Sequence, residues 1–154
     1  MVKIMFVCHG NICRSPMAEF IFKDMVTKKN LQDDFYIASS ATSAEEIGNP
    51  VYPPAKRKLK DHGISCDSKR AAQLKTSDYE NYDYIIAMES FNLRGIMKII
   101  GNDSHNKVYR LLDFTDNKRD IADPWYTGNF DITYDDIYEG AQGLLNHILN
   151  ETAH

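Results

Sequence analysis

At 154 residues, with 26% of them charged, the chain is long enough for a proper core, and one domain spanning residues 1–154 is expected. A formal net charge of −4 speaks against general affinity for nucleic acid or an anionic membrane surface, and no apolar run approaches spanning length. Three cysteines, Cys8, Cys13 and Cys66, are an odd number without a CxxC pair, which suggests neither a zinc site nor a disulfide framework and suits a reducing cytoplasm.

Met1 leads directly into an apolar run with no basic leader, so no secretory signal is expected. Residues 2–7 read as a buried strand, followed by a tight Gly/Asn-bearing loop and then Ser15-Pro16, a helix cap with proline in the first turn. The helix should run from Pro16 to Lys29 with Met17, Phe20, Ile21 and Met25 on one face. Phe35–Ala38 reads as a second strand, and the polar stretch from Ser39 to Pro54 as a long loop of the kind that is often functional. A helix from Ala55 to Asp61 should stop at His62-Gly63, and its Lys56, Arg57, Lys58 and Lys60 read as a solvated face. Short turns are expected over 64–82, a doubly covered strand over Tyr84–Met88, a helix from Phe91 to Gly101 and a fourth strand over Val108–Leu112. After a polar segment with Asp116, Asp120 and Asp123, a last helix should open at a Thr133/Asp136 capping box and bury Tyr134, Ile137, Tyr138, Ala141, Leu144, Leu145, Ile148 and Leu149. Strands alternating with helices predict an α/β fold, a parallel sheet with helices on both faces and its ligand at the carboxyl ends of the strands.

The chemistry concentrates in Cys8-His9-Gly10-Asn11-Ile12-Cys13-Arg14-Ser15 at the first strand–helix junction. Loop N–H groups, a helix start and Arg14 would all favour a thiolate at Cys8. The Arg14 guanidinium offers a planar fork for two phosphoryl oxygens. Gly10 and Asn11 tolerate the positive φ that a curled loop demands, and Ser15 can donate to the sulfur as well as cap the helix. A lone buried cysteine is usually a small core residue; Cys-x5-Arg-Ser-Pro at this junction points instead to a nucleophile facing a phosphate cradle. Expelling the leaving oxygen of a phosphate ester benefits from a proton donor. Among the candidate carboxylates, Asp123 alone precedes a proline that restrains its backbone. Trp125 and Tyr126 beside it suit an aryl ring.

The ten-residue Val7–Pro16 stretch resembles the signature of the low-molecular-weight protein tyrosine phosphatases. The likeness extends through Ile47-Gly48-Asn49-Pro50, His62-Gly63-Ile64, Tyr84–Met88, Asp123-Pro124 and the amphipathic C-terminal helix. It implies a four-stranded parallel sheet flanked by helices and phosphomonoester hydrolysis without a metal or cofactor. Cys8 then matches the nucleophile that becomes a phosphocysteine, Arg14 the phosphoryl clamp and Asp123 the general acid. His9 to Ser15 match the phosphate loop, with Asn11, Ser15 and Ser39 as its supports. Cys13 matches a cysteine able to form a reversible disulfide with the nucleophile, and Tyr126 a phosphorylation site. A phosphotyrosine-bearing protein is the implied partner, with a tyrosine kinase among the candidates, for a cytoplasmic monomer or weak dimer.

The chain also departs from the family pattern. Glu45 stands where an aromatic rim residue is usual, Lys69 where relatives carry a bracing histidine, and Ala72 in place of an arginine. Ile12 favours phosphotyrosine, because the arginine-phosphate-specific branch has threonine there. An arsenate-reductase-type redox enzyme on the same fold would need relay cysteines after the third strand, and none follows Cys66.

Overall fold

The computed structural model describes residues 1–152. It forms an α/β structure around a four-stranded sheet of order β2-β1-β3-β4, parallel throughout. The strands are β1 (Val2–Cys8), β2 (Phe35–Ala41), β3 (Tyr84–Ala87) and β4 (Val108–Arg110). The helices are α1 (Arg14–Lys28), α2 (Pro53–Asp61), α3 (Asp78–Asn81), α4 (Ser90–Ile100), α5 (Pro124–Thr127) and α6 (Phe130–Thr152).

The alternation of β1 divides the core. Ile4, Phe6 and Cys8 face the larger cluster, with Met17, Ile21 and Phe22 of α1, Leu59 of α2 and Ile137, Leu144 and Ile148 of α6. Met5 and Val7 face a smaller one with Tyr79 of α3 and Ile96 of α4. Sheet and helices therefore form three layers. α6 lies close over the 3-10 turn Leu111–Phe114 because it carries glycine where it crosses; a Cβ at Gly143 would stand 2.3 Å from the Phe114 carbonyl oxygen. From β1 the chain moves outward to β2, and from β3 outward to β4, so the crevice beyond the carboxyl ends of β1 and β3 is the switch point where such sheets bind ligands.

Several expectations shift in detail. β2 continues to Ala41, so Ser39 sits in the sheet opposite Phe6 rather than in a loop. α1 begins at Arg14, with Cys13 rather than Ser15 in the cap position; Ser15 lies inside the first turn, where its hydroxyl turns to Cys8. β4 ends at Arg110 because Asp113 captures that residue's N–H and guanidinium and winds the chain into the 3-10 turn. α6 starts at Phe130, earlier than the supposed capping box: Asn129 Oδ1 accepts the Ile132 N–H, while Thr133 gives its hydroxyl to the Ala122 carbonyl and Asp136 pairs with Arg119. Tyr138, expected to be buried, is 42% exposed.

Candidate active site

β1 delivers Cys8 as its last residue, and the chain then curls through His9–Cys13 into α1. Asn11 makes the curl possible with a φ of 59°, a left-handed conformation that asparagine tolerates. Gly10 does not share that conformation, contrary to expectation; a Cβ there would meet Glu46 Cγ at 3.4 Å, an ordinary van der Waals contact. The N–H groups of Asn11 and Ser15 lie 3.3 and 3.4 Å from Cys8 Sγ, and Ser15 Oγ lies at 3.0 Å. Backbone donors converging at a helix start form an anion site.

The protons behind this cradle have a defined direction. Ser39 Oγ donates to Glu19 Oε1 at 2.6 Å, so its oxygen accepts from Asn11 Nδ2 at 2.9 Å. The second Nδ2 proton goes to Ser15 Oγ at 2.7 Å, which leaves the Ser15 hydroxyl proton for Cys8 Sγ at 3.0 Å or the Ser40 carbonyl at 3.4 Å. Asn11 Oδ1 accepts the Ala72 N–H at 3.1 Å, which fixes the amide orientation. Lys69 Nζ donates to the Ser39 carbonyl at 2.8 Å and lies 3.6 Å from Glu19, while Lys23 bonds the other Glu19 oxygen at 2.6 Å. Lys69 thus braces β2 beside the loop, and Ala72 braces Asn11 through its backbone. Burial pulls the Lys69 ammonium below its ordinary value against the opposing pull of Glu19.

Arg14 is 2% exposed and closes the floor of the cleft. Its Nη1 donates to Glu89 and, at 2.8 Å, to the Ile121 carbonyl, while Nη2 reaches Asp123 Oδ2 at 3.2 Å. Asp123 precedes Pro124 in extended backbone and caps α5, accepting the Trp125 N–H at 3.0 Å on Oδ1. The cleft above has a volume of about 270 Å³, small for a ligand site and suited to one side chain. Cys8, Ile12, Cys13 and Arg14 line it together with Asp123, Trp125 and Tyr126 on one side and Glu45 and Glu46 on the other. His9 stands at the mouth, its Nε2 3.4 Å from Glu45 and its ring near Phe91. Burial and the charges of Cys8 and Asp123 push the Cys13 thiol well above its usual range. Cys66 lies in the larger core cluster. Among the described residues, no group of three or more His, Cys, Asp or Glu side chains is placed to hold a metal ion.

A thiol under convergent donors, with a guanidinium and a carboxylate across one cleft, can carry out phosphoryl transfer. A sequence model described as low molecular weight phosphotyrosine protein phosphatase matches residues 3–154. The chain belongs to this family. It is similar to the low molecular weight protein-tyrosine-phosphatase YfkJ of Bacillus subtilis, 39% identical over 98% of each chain. The crystal structure of YfkJ superposes with a TM-score of 0.94, covering 98% of this chain and 96% of that one. SP-PTP of Streptococcus pyogenes follows at 37% identity and a TM-score of 0.85, covering 96% and 93%. The Drosophila arginine phosphatase DARP aligns at 30% identity and a TM-score of 0.87, covering 96% and 98%. The protein is therefore a phosphatase of this family, and phosphoproteins are its substrate class.

The structure brings together the loop from Cys8 to Ser15, Ser39 beneath it, and Glu45, Asp123, Trp125 and Tyr126 around the cleft. Two charged residues that contact the site, Glu19 and Glu89, were not expected from the sequence. Glu19 had a signal, since it follows Ser15 by one helical turn on α1. Glu89, Arg14's partner, follows the end of β3, where strand-end residues of such sheets gather around the ligand.

Proposed function

We propose that the enzyme hydrolyses phosphotyrosine in proteins through a phosphocysteine intermediate, without a metal ion. The reading rests above all on the placement of Cys8 Sγ and the Asp123 carboxylate in one cleft, joined through Arg14. Cys8 attacks phosphorus as the tyrosyl C–O–P linkage breaks at the P–O bond, and Asp123 gives its proton to the leaving oxygen. Arg14 and the loop N–H groups hold the phosphoryl oxygens and carry their charge, the part a metal ion would otherwise play. Water then attacks phosphorus, Asp123 takes its proton, and the S–P bond breaks to release phosphate. The Ser15 hydroxyl and the N–H groups of Asn11 and Ser15 receive the departing sulfur as an anion.

Ile12 at the floor and the Trp125 and Tyr126 rings on the wall support an aryl ester over a guanidine phosphate. A phosphotyrosine protein, with a tyrosine kinase as one candidate, is the expected partner, and three free cysteines suit a reducing cytoplasm. The experiment compares wild-type turnover of p-nitrophenyl phosphate, a phosphotyrosine peptide and a phosphoarginine peptide under reducing conditions. Turnover of the first two is expected. Phosphoarginine as the best substrate would overturn the specificity, and silence on all three would overturn the activity.

A further inference from the structure

Tyr52 appears in none of the groups above, yet it touches both halves of the cleft. Its N–H donates to the Ile12 carbonyl in the phosphate loop at 2.9 Å. Its ring packs on Trp125 at 4.8 Å between centroids and on Phe130 at 6.2 Å. The backbone beneath the ring is firmly set, with Val51 buried on one side and Pro53 opening α2 on the other. Proline holds the residue before it extended, and Tyr52 has φ −55° and ψ 131°.

The partner ring belongs to the turn that carries the acid. Trp125 donates its N–H to Asp123 Oδ1, so the position of the tryptophan and that of the carboxylate are linked. Ahead of Asp123 the chain is well anchored: Ile121 is fully buried, bonded to Met88 and Arg14, and Ala122 accepts from Thr133. Beyond Asp123 the hold is thin. Of α5 only Pro124 is buried, while Trp125 is 54% and Tyr126 85% exposed. The Tyr52 ring packs against this exposed side.

We propose that Tyr52 is a positioning residue: its ring holds Trp125 and thereby sets the acid-bearing turn against the phosphate loop. This rests on the roles assigned to Cys8 and Asp123 above. The contact is made by the ring rather than the hydroxyl, so phenylalanine preserves it and alanine removes it while leaving the N–H to Ile12 intact.

The test compares Tyr52→Ala and Tyr52→Phe in the full chain by kcat/KM, which reports the first phosphoryl transfer. A phosphotyrosine peptide needs a proton at its leaving oxygen, whereas p-nitrophenyl phosphate scarcely does. Tyr52→Ala should lose about threefold to tenfold on the peptide, the worth of one aromatic pair, and less than about twofold on p-nitrophenyl phosphate. Tyr52→Phe should restore the peptide rate. Trp125 is the single tryptophan, so its fluorescence reads the same contact without turnover: Tyr52→Ala should shift its emission to the red and lower its anisotropy, and Tyr52→Phe should do neither. Equal losses on both substrates, an indifferent Tyr52→Ala, or unchanged Trp125 emission would overturn the proposal. Failure of the phosphatase reading looks different, because the wild type would then turn over neither substrate.

Discussion

The two halves of the cleft are built on opposite principles. The phosphate half is buried and connected: Cys8, Asn11, Arg14, Ser15 and Ser39 are each at most 3% exposed, and hydrogen bonds tie them to β2, α1 and the Ala72 backbone. The leaving-group half of the proposed site is a short, exposed turn that follows the buried Ile121, with its aromatic rings largely in solvent. Donors fixed by a folded core need no reorganisation as charge develops on a phosphoryl group. A rim facing many protein sequences gains from being adjustable instead. On the proposed mechanism, the reaction class resides in the buried half and discrimination between substrates in the exposed one.

Four substitutions break or sharpen that contrast. The largest effect belongs to Cys8→Ser, which leaves the cradle but removes the sulfur: turnover should fall by about 10⁴-fold or more while phosphate still binds. A residual rate near wild type, measured alongside phosphate titration, would remove Cys8 from the nucleophile role. Asp123→Ala strikes the other half and should lower kcat/KM on a phosphotyrosine peptide by about 10²–10⁴-fold. The loss should be markedly smaller on p-nitrophenyl phosphate; identical losses would show that Asp123 does not protonate the leaving oxygen.

Ser39→Ala probes the depth of the rigid half. It takes the hydroxyl from between Glu19 and Asn11, leaving a buried carboxylate short of a donor, and should cost about 1–3 kcal/mol of stability in urea unfolding. If the proton direction described above orders Ser15, the rate also falls at pH values where the fold is intact; normal kinetics in the folded variant would show that Ser15 is ordered without Ser39. The smallest change is expected at the rim. Glu45→Trp replaces an exposed carboxylate beside His9 with an apolar surface and should lower KM for aryl phosphates by a few-fold, the scale of one aromatic contact or one exposed charge. An unchanged KM would mean that Glu45 does not meet the substrate.

What could be read from the chain follows contact range. Cys8, Asn11, Arg14 and Ser15 lie within one strand–turn–helix, so their side-chain types and spacing encode the geometry directly. The periodicity of α1 and α6 likewise marks the faces they bury. Helix starts were less legible: α6 begins at Phe130 because Asn129 offers a cap, and Thr133, which has the right chemistry for that task, is drawn away by the Ala122 carbonyl. Local propensity proposes several caps, and tertiary partners choose among them.

By itself, then, the sequence determined the Cys8–Ser15 loop, the α/β alternation and, with Pro124 as a marker, Asp123 as the proposed acid. Tertiary structure decided what holds them. Glu89 and Asp123 reach Arg14 across 75 and 109 residues of chain, and Ala72 reaches Asn11 across 61. It also decided that Ser39 belongs to a strand, that Glu19 stands behind it, and that Tyr52 lies against Trp125. The physical reason is that a strand or a turn is chosen by neighbours along the chain, whereas a buried donor takes whichever acceptor the packed sheet and helices bring within about 3 Å.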